Sequence, residues 1–299
     1  MSNLKIAVIG AGGVGGYLGA KLTQHDYDVT IITRGKHYDA ILENGLKVLE
    51  YKKESFTTHP YVVQNAHDQI YDVVFVTTKS YDFESASQTI QNCVDENTLI
   101  IPLSNGVEHS NTLKQYFPNS IVCDGTIYII SNIKEYGVIE KKSFTFYLLF
   151  GSQEENINLK VLEQLLNNCG LRTKYSHDIK YDCWKKFLFL SAMATLTTYF
   201  KKPMGYILKE QLELMIDVLL EIKKVANKKD IDITSSDIEK AVNQATHVPY
   251  DSKTSMQLDF EKGKNNELES HTGYIVKEAL KLDIQVPTME KIYNELKQR

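Results

Sequence analysis

The stretch that most restricts this chain lies at its start, where "LKIAVIG" runs into "GAGGVGG" and then into "YLGAKLTQHDYDVTIIT". A short apolar run, a glycine turn, an amphipathic segment and a second apolar run describe strand, turn, helix and strand. Two strands joined in this way become parallel neighbours through a right-handed crossover. Gly10, Gly12 and Gly15 form G-x-G-x-x-G. The first allows a tight turn, the second lets backbone approach a pyrophosphate, and the third lets helix pack closely on strand. With Ala11, Gly13 and Val14 they present backbone N–H groups at a helix N-terminus, where the macrodipole favours an anion. The motif alone is weak; in this context it predicts a dinucleotide site.

The rest of the first half continues the alternation. "DVVFVTTK", "NTLIIPLSNG" and "SIVCDG" read as strands, with helices expected over Tyr81–Gln91 and Val107–Phe117. This implies a doubly wound Rossmann-type sheet of the α/β class. Residues 45–59 read as a hairpin inserted at the sheet edge. "TIYIISNIKEYGVIEKKSFTFYLLFG", rich in β-branched and aromatic residues around Gly137, reads as antiparallel strands added to the sheet. A helix over Asn158–Cys169 and a short strand in "LRTKYS" complete this part. Beyond Ser176 the pattern is helical, with helices expected over Ile179–Tyr199, Tyr206–Lys228, Ser236–His247, Asn266–Leu280 and Thr288–Lys297. The expected organisation is a dinucleotide-binding domain over 1–176 and an all-helical substrate and catalytic domain over 177–299, a reasonable division of 299 residues.

The second strand ends "IITRGKH", with Thr33 and Arg34 where an acid would hold the ribose 2′-hydroxyl of NAD. A guanidinium there can instead pair with a 2′-phosphate, so NADP is the expected cofactor. Lys79 closes another strand and reads either as a second cofactor contact or as a solvated loop lysine. A net charge of −4 offers no general attraction to nucleic acid or anionic lipid. The four cysteines are widely spaced and read as reduced, buried side chains. No apolar run approaches the about 20 residues that span a bilayer. The start "MSNLKIAVIG" lacks the layout of a signal peptide, and a cytoplasmic protein is expected.

One further stretch calls for explanation. "DCWKKFLFLSAMATL" carries Lys185 and Lys186 into an otherwise apolar helix. Either both ammonium groups snorkel to water, or one is desolvated, which lowers its pKa and makes it a usable general acid.

The order and spacing of "IAVIGAGGVGG", "TRGKHYDAILENGL", "TTKSYD", "LSNGVEH", "WKKF", "SMQLDFEKGKNNELE" and "KLDIQVPT" resemble the ketopantoate reductase (2-dehydropantoate 2-reductase) family over nearly the whole chain. The resemblance implies NADPH-dependent reduction of a small-molecule 2-oxo acid, 2-dehydropantoate to pantoate in pantothenate biosynthesis or a related reaction. It makes Lys186 the proton donor, in a cleft between the domains. It places Asn105 beside nicotinamide and substrate, Ser131 and Glu267 at the cofactor, and Ser255 at the substrate. Taken alone, Asn105 could equally serve a turn, Ser255 a helix cap and Glu267 a solvated helix face. A homodimer is left open. The chain departs from the family's pocket asparagines, which are here Leu190, Ala194, Met204 and Ser252. A more apolar carbonyl substrate, or a non-catalytic NADP-binding sensor, is the alternative.

Overall fold

In the computed structural model, which describes residues 4–67, 69–152 and 159–299, the opening apolar run is strand β1 (Lys5–Ile9). Four of its five side chains are buried because both faces of the strand are covered. Ile6 and Val8 enter one apolar core and Ala7 and Ile9 the other, as the two-residue period of a strand requires. The chain continues through α1 (Gly13–Gln24), β2 (Asp28–Ile32), α2 (Gly35–Asn44), β3 (Leu46–Leu49), β4 (Phe56–Thr58), β5 (Tyr61–Val63) and β6 (Val73–Val76). There follow α3 (Phe83–Gln88), β7 (Leu99–Pro102), α4 (His109–Tyr116), β8 (Ile121–Val122), β9 (Asp124–Glu135), β10 (Val138–Gly151), α5 (Lys160–Asn168) and β11 (Thr173–Tyr175).

Six strands form one parallel sheet in the order β5-β2-β1-β6-β7-β8. From β1 the chain builds outward to β5, then returns to lay β6, β7 and β8 on the other side. The strand order therefore reverses between β1 and β6, the switch point at which sheets of this kind bind ligands beyond their carboxyl ends.

The antiparallel pair β9–β10 is present, but in a second sheet of its own, ordered β11-β10-β3-β4 with β9 beside β10. The hairpin β3–β4 belongs there too, because β3 runs parallel to β10. It is not an edge insertion in the parallel sheet: Val48 lies in register with Ile139, and both are fully buried. Helix α1 lies between the two sheets, which explains its small residues. A Cβ on Gly16 would press on Ile139 of β10, and one on Gly19 on Ile31 of β2.

Several helices differ from the periodicity. The one expected over Tyr81–Gln91 splits into a single 3-10 turn, Ser80–Asp82, and α3, whose end is closed by the Thr89 hydroxyl donating to the Ala86 carbonyl at 2.7 Å. Helix α5 answers to the one expected from Asn158, a residue outside those described.

The chain divides into two compact units, Met1–Ile179 and Lys180–Arg299. The second is built of helices: α6 (Ile179–Phe200), α7 (Met204–Glu210), α8 (Leu212–Lys228), α9 (Ser235–Thr246), α10 (Ser255–Glu261), α11 (Thr272–Lys281) and α12 (Pro287–Lys297). The single helix expected over Tyr206–Lys228 is interrupted at Gln211, whose φ of −134° is not helical. Helix α10 is an addition, too short to show a hydrophobic period, and it is capped by the Thr254 side chain accepting from the Gln257 N–H. The helix expected from Asn266 starts only at Thr272, because residues 266–271 form turns.

Helix α6 is the centre of this unit and is buried nearly all round. Its Tyr181 hydroxyl donates to Asp237 of α9 at 2.8 Å, and Tyr199 to Glu295 of α12 at 3.1 Å. Trp184 and Phe187 pack on Tyr274 of α11 with ring centroids 6.1 and 6.0 Å apart. Two of its buried hydroxyls pair with neighbouring segments: Thr195 with Thr272 at 2.7 Å, and Thr197 with Thr254 at 2.9 Å.

Candidate dinucleotide site and buried lysine

In the first unit the predicted cofactor residues converge on the carboxyl edge of the parallel sheet. Gly10 turns at φ +93°, a conformation that L side chains rarely adopt. The turn is tied to the next strand over: the Thr77 hydroxyl, just past β6, donates to the carbonyls of Ile9 and Gly10 at 2.9 and 2.8 Å. Gly15 sits directly against Gly10 and Thr77, where a Cβ could not be accommodated. Gly13 abuts the backbone of Ser131 and Asn132 on β9, so Ser131 meets the glycine turn through its main chain.

Helix α1 has Gly12 as its N-cap and no side chain capping it. The N–H groups of its first turn therefore await a partner from outside the helix. A Cβ on Gly12 would meet nothing within 4 Å, so this backbone faces open space. Along the same edge the hydroxyls of Thr78, Ser104 and Ser131 are buried without a hydrogen-bond partner among the described residues. An uncapped helix start facing open space, together with three such hydroxyls, fits a dinucleotide with its chain of phosphate and hydroxyl oxygens.

Arg34 is the N-cap of α2, immediately beyond β2, and its side chain is 74% exposed. It reaches Asp82, in the 3-10 turn after β6, at 3.5 Å. The acid missing from the end of β2 is thus supplied from 48 residues further on, which local sequence could not reveal. At this distance and exposure the pair holds Arg34 only lightly. Lys79 precedes that turn and is partly buried. Asn105 lies in the loop after β7, where the His109 ring nitrogen Nε2 is 2.6 Å from its carbonyl oxygen.

His37 had no role in the sequence reading, yet it is buried and bonded to the glycine turn: Nε2 lies 2.8 Å from the Ala11 carbonyl. Burial pushes its pKa down, against the opposing effect of that hydrogen bond. The one available signal was its i, i+4 spacing from Ile41, the two buried residues of α2.

In the second unit the two lysines part company. Lys185 is exposed, with Nζ 5.7 Å from the ring centre of Tyr181, one turn back. Lys186 is partly buried, and desolvation of its ammonium lowers its pKa to about 8, while Cys183 and Glu267 nearby favour the cation. Glu267 is no solvated helix carboxylate: it is 1% exposed and stands in the turns before α11. Ser255 is exposed at the first turn of α10, and the capping role belongs to Thr254. Ala194 is buried and Leu190 partly exposed on the stripe of α6 that begins at Lys186; Met204 and Ser252 are partly buried. Among the described residues no group of His, Cys, Asp and Glu could hold a metal, no helix is long and apolar enough to cross a membrane, and all four cysteines are buried thiols.

The family model for ketopantoate reductase PanE/ApbA matches residues 6–153, and that for its C-terminal part residues 178–299. The chain is 29% identical over 297 residues to the uncharacterized oxidoreductase YkpB of Bacillus subtilis, covering 98% of each chain. The crystal structure of 2-dehydropantoate 2-reductase from Porphyromonas gingivalis W83 is similar at 30% identity and a TM-score of 0.86, over 98% of this chain and 99% of that one. The fold is also that of D-mandelate dehydrogenase, solved with NADH and anilino(oxo)acetate, at a TM-score of 0.89 and 21% identity over 99% and 98% of the two chains. Since two models of one family account for most of the chain, it belongs to the ketopantoate reductase family of oxidoreductases, whose cofactor is a nicotinamide dinucleotide.

Proposed function

We propose that this protein reduces a 2-oxo acid to the 2-hydroxy acid with NADPH, residues 1–176 holding the cofactor and 177–299 the substrate, with 2-dehydropantoate in pantothenate biosynthesis as the first candidate. The observation that carries the reading is the desolvated ammonium of Lys186, with a pKa near 8 and Glu267 close by. A lysine so tuned is protonated at neutral pH yet gives up its proton readily, as a general acid must. When bound, the dinucleotide supplies a hydride to the carbonyl carbon. Lys186 Nζ donates a hydrogen bond to the carbonyl oxygen and then the proton, leaving a hydroxyl on the substrate and a neutral amine on the protein. Glu267 keeps the amine protonated until that moment. Arg34 would take the 2′-phosphate as a charge-assisted fork, with Lys79 adding charge at the same edge. Backbone N–H groups of residues 10–15 would hold the pyrophosphate, and Asn105 and Ser131 would line the nicotinamide end.

A second reading, a more apolar carbonyl substrate, is favoured by Leu190 and Ala194 on the Lys186 stripe. A polar substrate group left unpaired beside such side chains costs roughly 1 to 3 kcal/mol. A screen of NADPH oxidation over a panel of 2-oxo acids, with 2-dehydropantoate included, decides between the two. No oxidation with any 2-oxo acid would overturn the first reading, and none with simple ketones added to the panel would overturn both.

A further inference from the structure

We propose that His37 is a positioning residue of the dinucleotide site, its neutral imidazole holding the peptide after Ala11 in the orientation that turns the Gly12 N–H toward the ligand. This rests on reading the glycine turn as the dinucleotide site.

Both ring nitrogens of His37 are engaged, and their partners define its state. The Gly137 N–H donates to Nδ1 at 3.0 Å. A nitrogen that accepts carries no hydrogen, so Nδ1 is bare and the hydrogen of the neutral ring sits on Nε2. Nε2 can then donate to the Ala11 carbonyl at 2.8 Å. A protonated ring would break the bond from Gly137, and the other tautomer would break both.

The bond to Ala11 acts on the cofactor side through the geometry of the peptide. In a planar trans peptide, C=O and N–H point in opposite directions, and no cis peptide bond occurs among the described residues. Drawing the Ala11 oxygen toward His37 therefore directs the Gly12 N–H away from it. Gly12 opens onto unfilled space, and as a glycine it places little steric restraint on its own peptide. The restraint comes from His37. Its second bond ties it to the turn at Gly137 between β9 and β10, and the Gly137 carbonyl in turn accepts from Lys47 N–H at 2.9 Å on β3. The glycine turn is thus braced against the second sheet. His37 also lies one turn from Arg34, the N-cap of the same helix, so α2 carries both the residue assigned to the 2′-phosphate and the one that orients the phosphate loop.

The test compares His37→Phe, which fills the volume without either bond, with His37→Gln, which restores an N–H donor. Dissociation constants for NADPH and NADH are measured by titrating the protein's fluorescence, and kcat and KM on the best 2-oxo acid. His37→Phe should weaken both dinucleotides by roughly tenfold or more, the value of one lost hydrogen bond plus lost preorganisation. At saturating dinucleotide, kcat should stay within about twofold, and His37→Gln should recover a substantial part of the affinity. An independent readout needs no variant: nitrogen NMR of the labelled imidazole at pH 7.5 should show the neutral form with hydrogen on Nε2. An imidazolium or the Nδ1–H tautomer would overturn the proposal, as would unchanged affinity in His37→Phe, or a loss confined to kcat. Wild-type protein that binds no nicotinamide dinucleotide would instead remove the underlying reading of the glycine turn.

Discussion

Replacing Lys186 by methionine should stabilise the protein while abolishing its activity, and both effects follow from the same burial. The ammonium pKa falls from the ordinary 10.5 to about 8, a difference that corresponds to about 3 kcal/mol in favour of the neutral amine. Because the folded-state pKa lies below the unfolded one, the unfolded chain binds more protons between pH 8 and 10.5. Stability therefore rises with pH through that window, and at pH 7 the full cost of holding the cation is present. Lys186→Met keeps an unbranched chain of similar length and removes the charge. It should raise the unfolding free energy at pH 7 by up to about 3 kcal/mol, a figure already net of the attraction to Glu267. Denaturant unfolding at pH 7 and pH 10 reads this directly, and the gain should shrink at the higher pH. On the catalytic side kcat should fall about 10²- to 10⁴-fold, the contribution of a positioned general acid. Wild-type kcat should decline as pH rises through about 8, as the amine loses its proton, and the variant should lack that limb. Lys185→Met, at an exposed position, should leave kcat nearly unchanged. A destabilised Lys186→Met that keeps its activity would refute the argument, as would equal losses at both lysines.

Glu267→Gln removes the carboxylate that favours the lysine cation, so the kcat limb should move to lower pH; a limb that stays or rises would separate Glu267 from Lys186. Arg34→Ala should weaken NADPH by about 1.5 to 3 kcal/mol if the 2′-phosphate contact is partly desolvated, with NADH little affected, and equal loss for both dinucleotides in titration would remove Arg34 from the site. Asp82→Asn frees Arg34 from its acid partner at 3.5 Å and should shift the preference modestly toward NADPH, by up to about 1 kcal/mol; a shift toward NADH would count against that assignment. With Leu190 and Ala194 beside the lysine stripe, kcat/KM for 2-dehydropantoate should lie below that for some less polar 2-oxo acid, and Leu190→Asn should narrow the gap if lost amide contacts are the cause.

The sequence by itself determined what depends on short-range pattern. The run "KIAVIGAGGVGG" carries strand, turn and helix in neighbouring residues, and the repetition of such units implies a parallel sheet; its strand order, reversing between β1 and β6, was decided by the tertiary structure. The apolar sides of α6 were likewise enough to single out the two lysines, with two outcomes left open: both ammonium groups reaching water, or one of them desolvated. Tertiary structure decided matters that depend on residues far apart in the chain. Nothing near Val48 says that its strand pairs with Ile139, so the hairpin's place in a second sheet was hidden. Nothing near Arg34 announces Asp82, and nothing around His37 shows that Ala11 and Gly137, 26 positions before it and 100 after, close on its two nitrogens. Which lysine loses its water was also settled only by packing, since adjacent positions on a helix differ by about 100° and only the folded unit shows which direction is buried. Local pattern reports conformational preference and amphipathic period; desolvation and long-range hydrogen bonds are properties of the packed chain, and at this site they set the charge, the tautomer and the pKa.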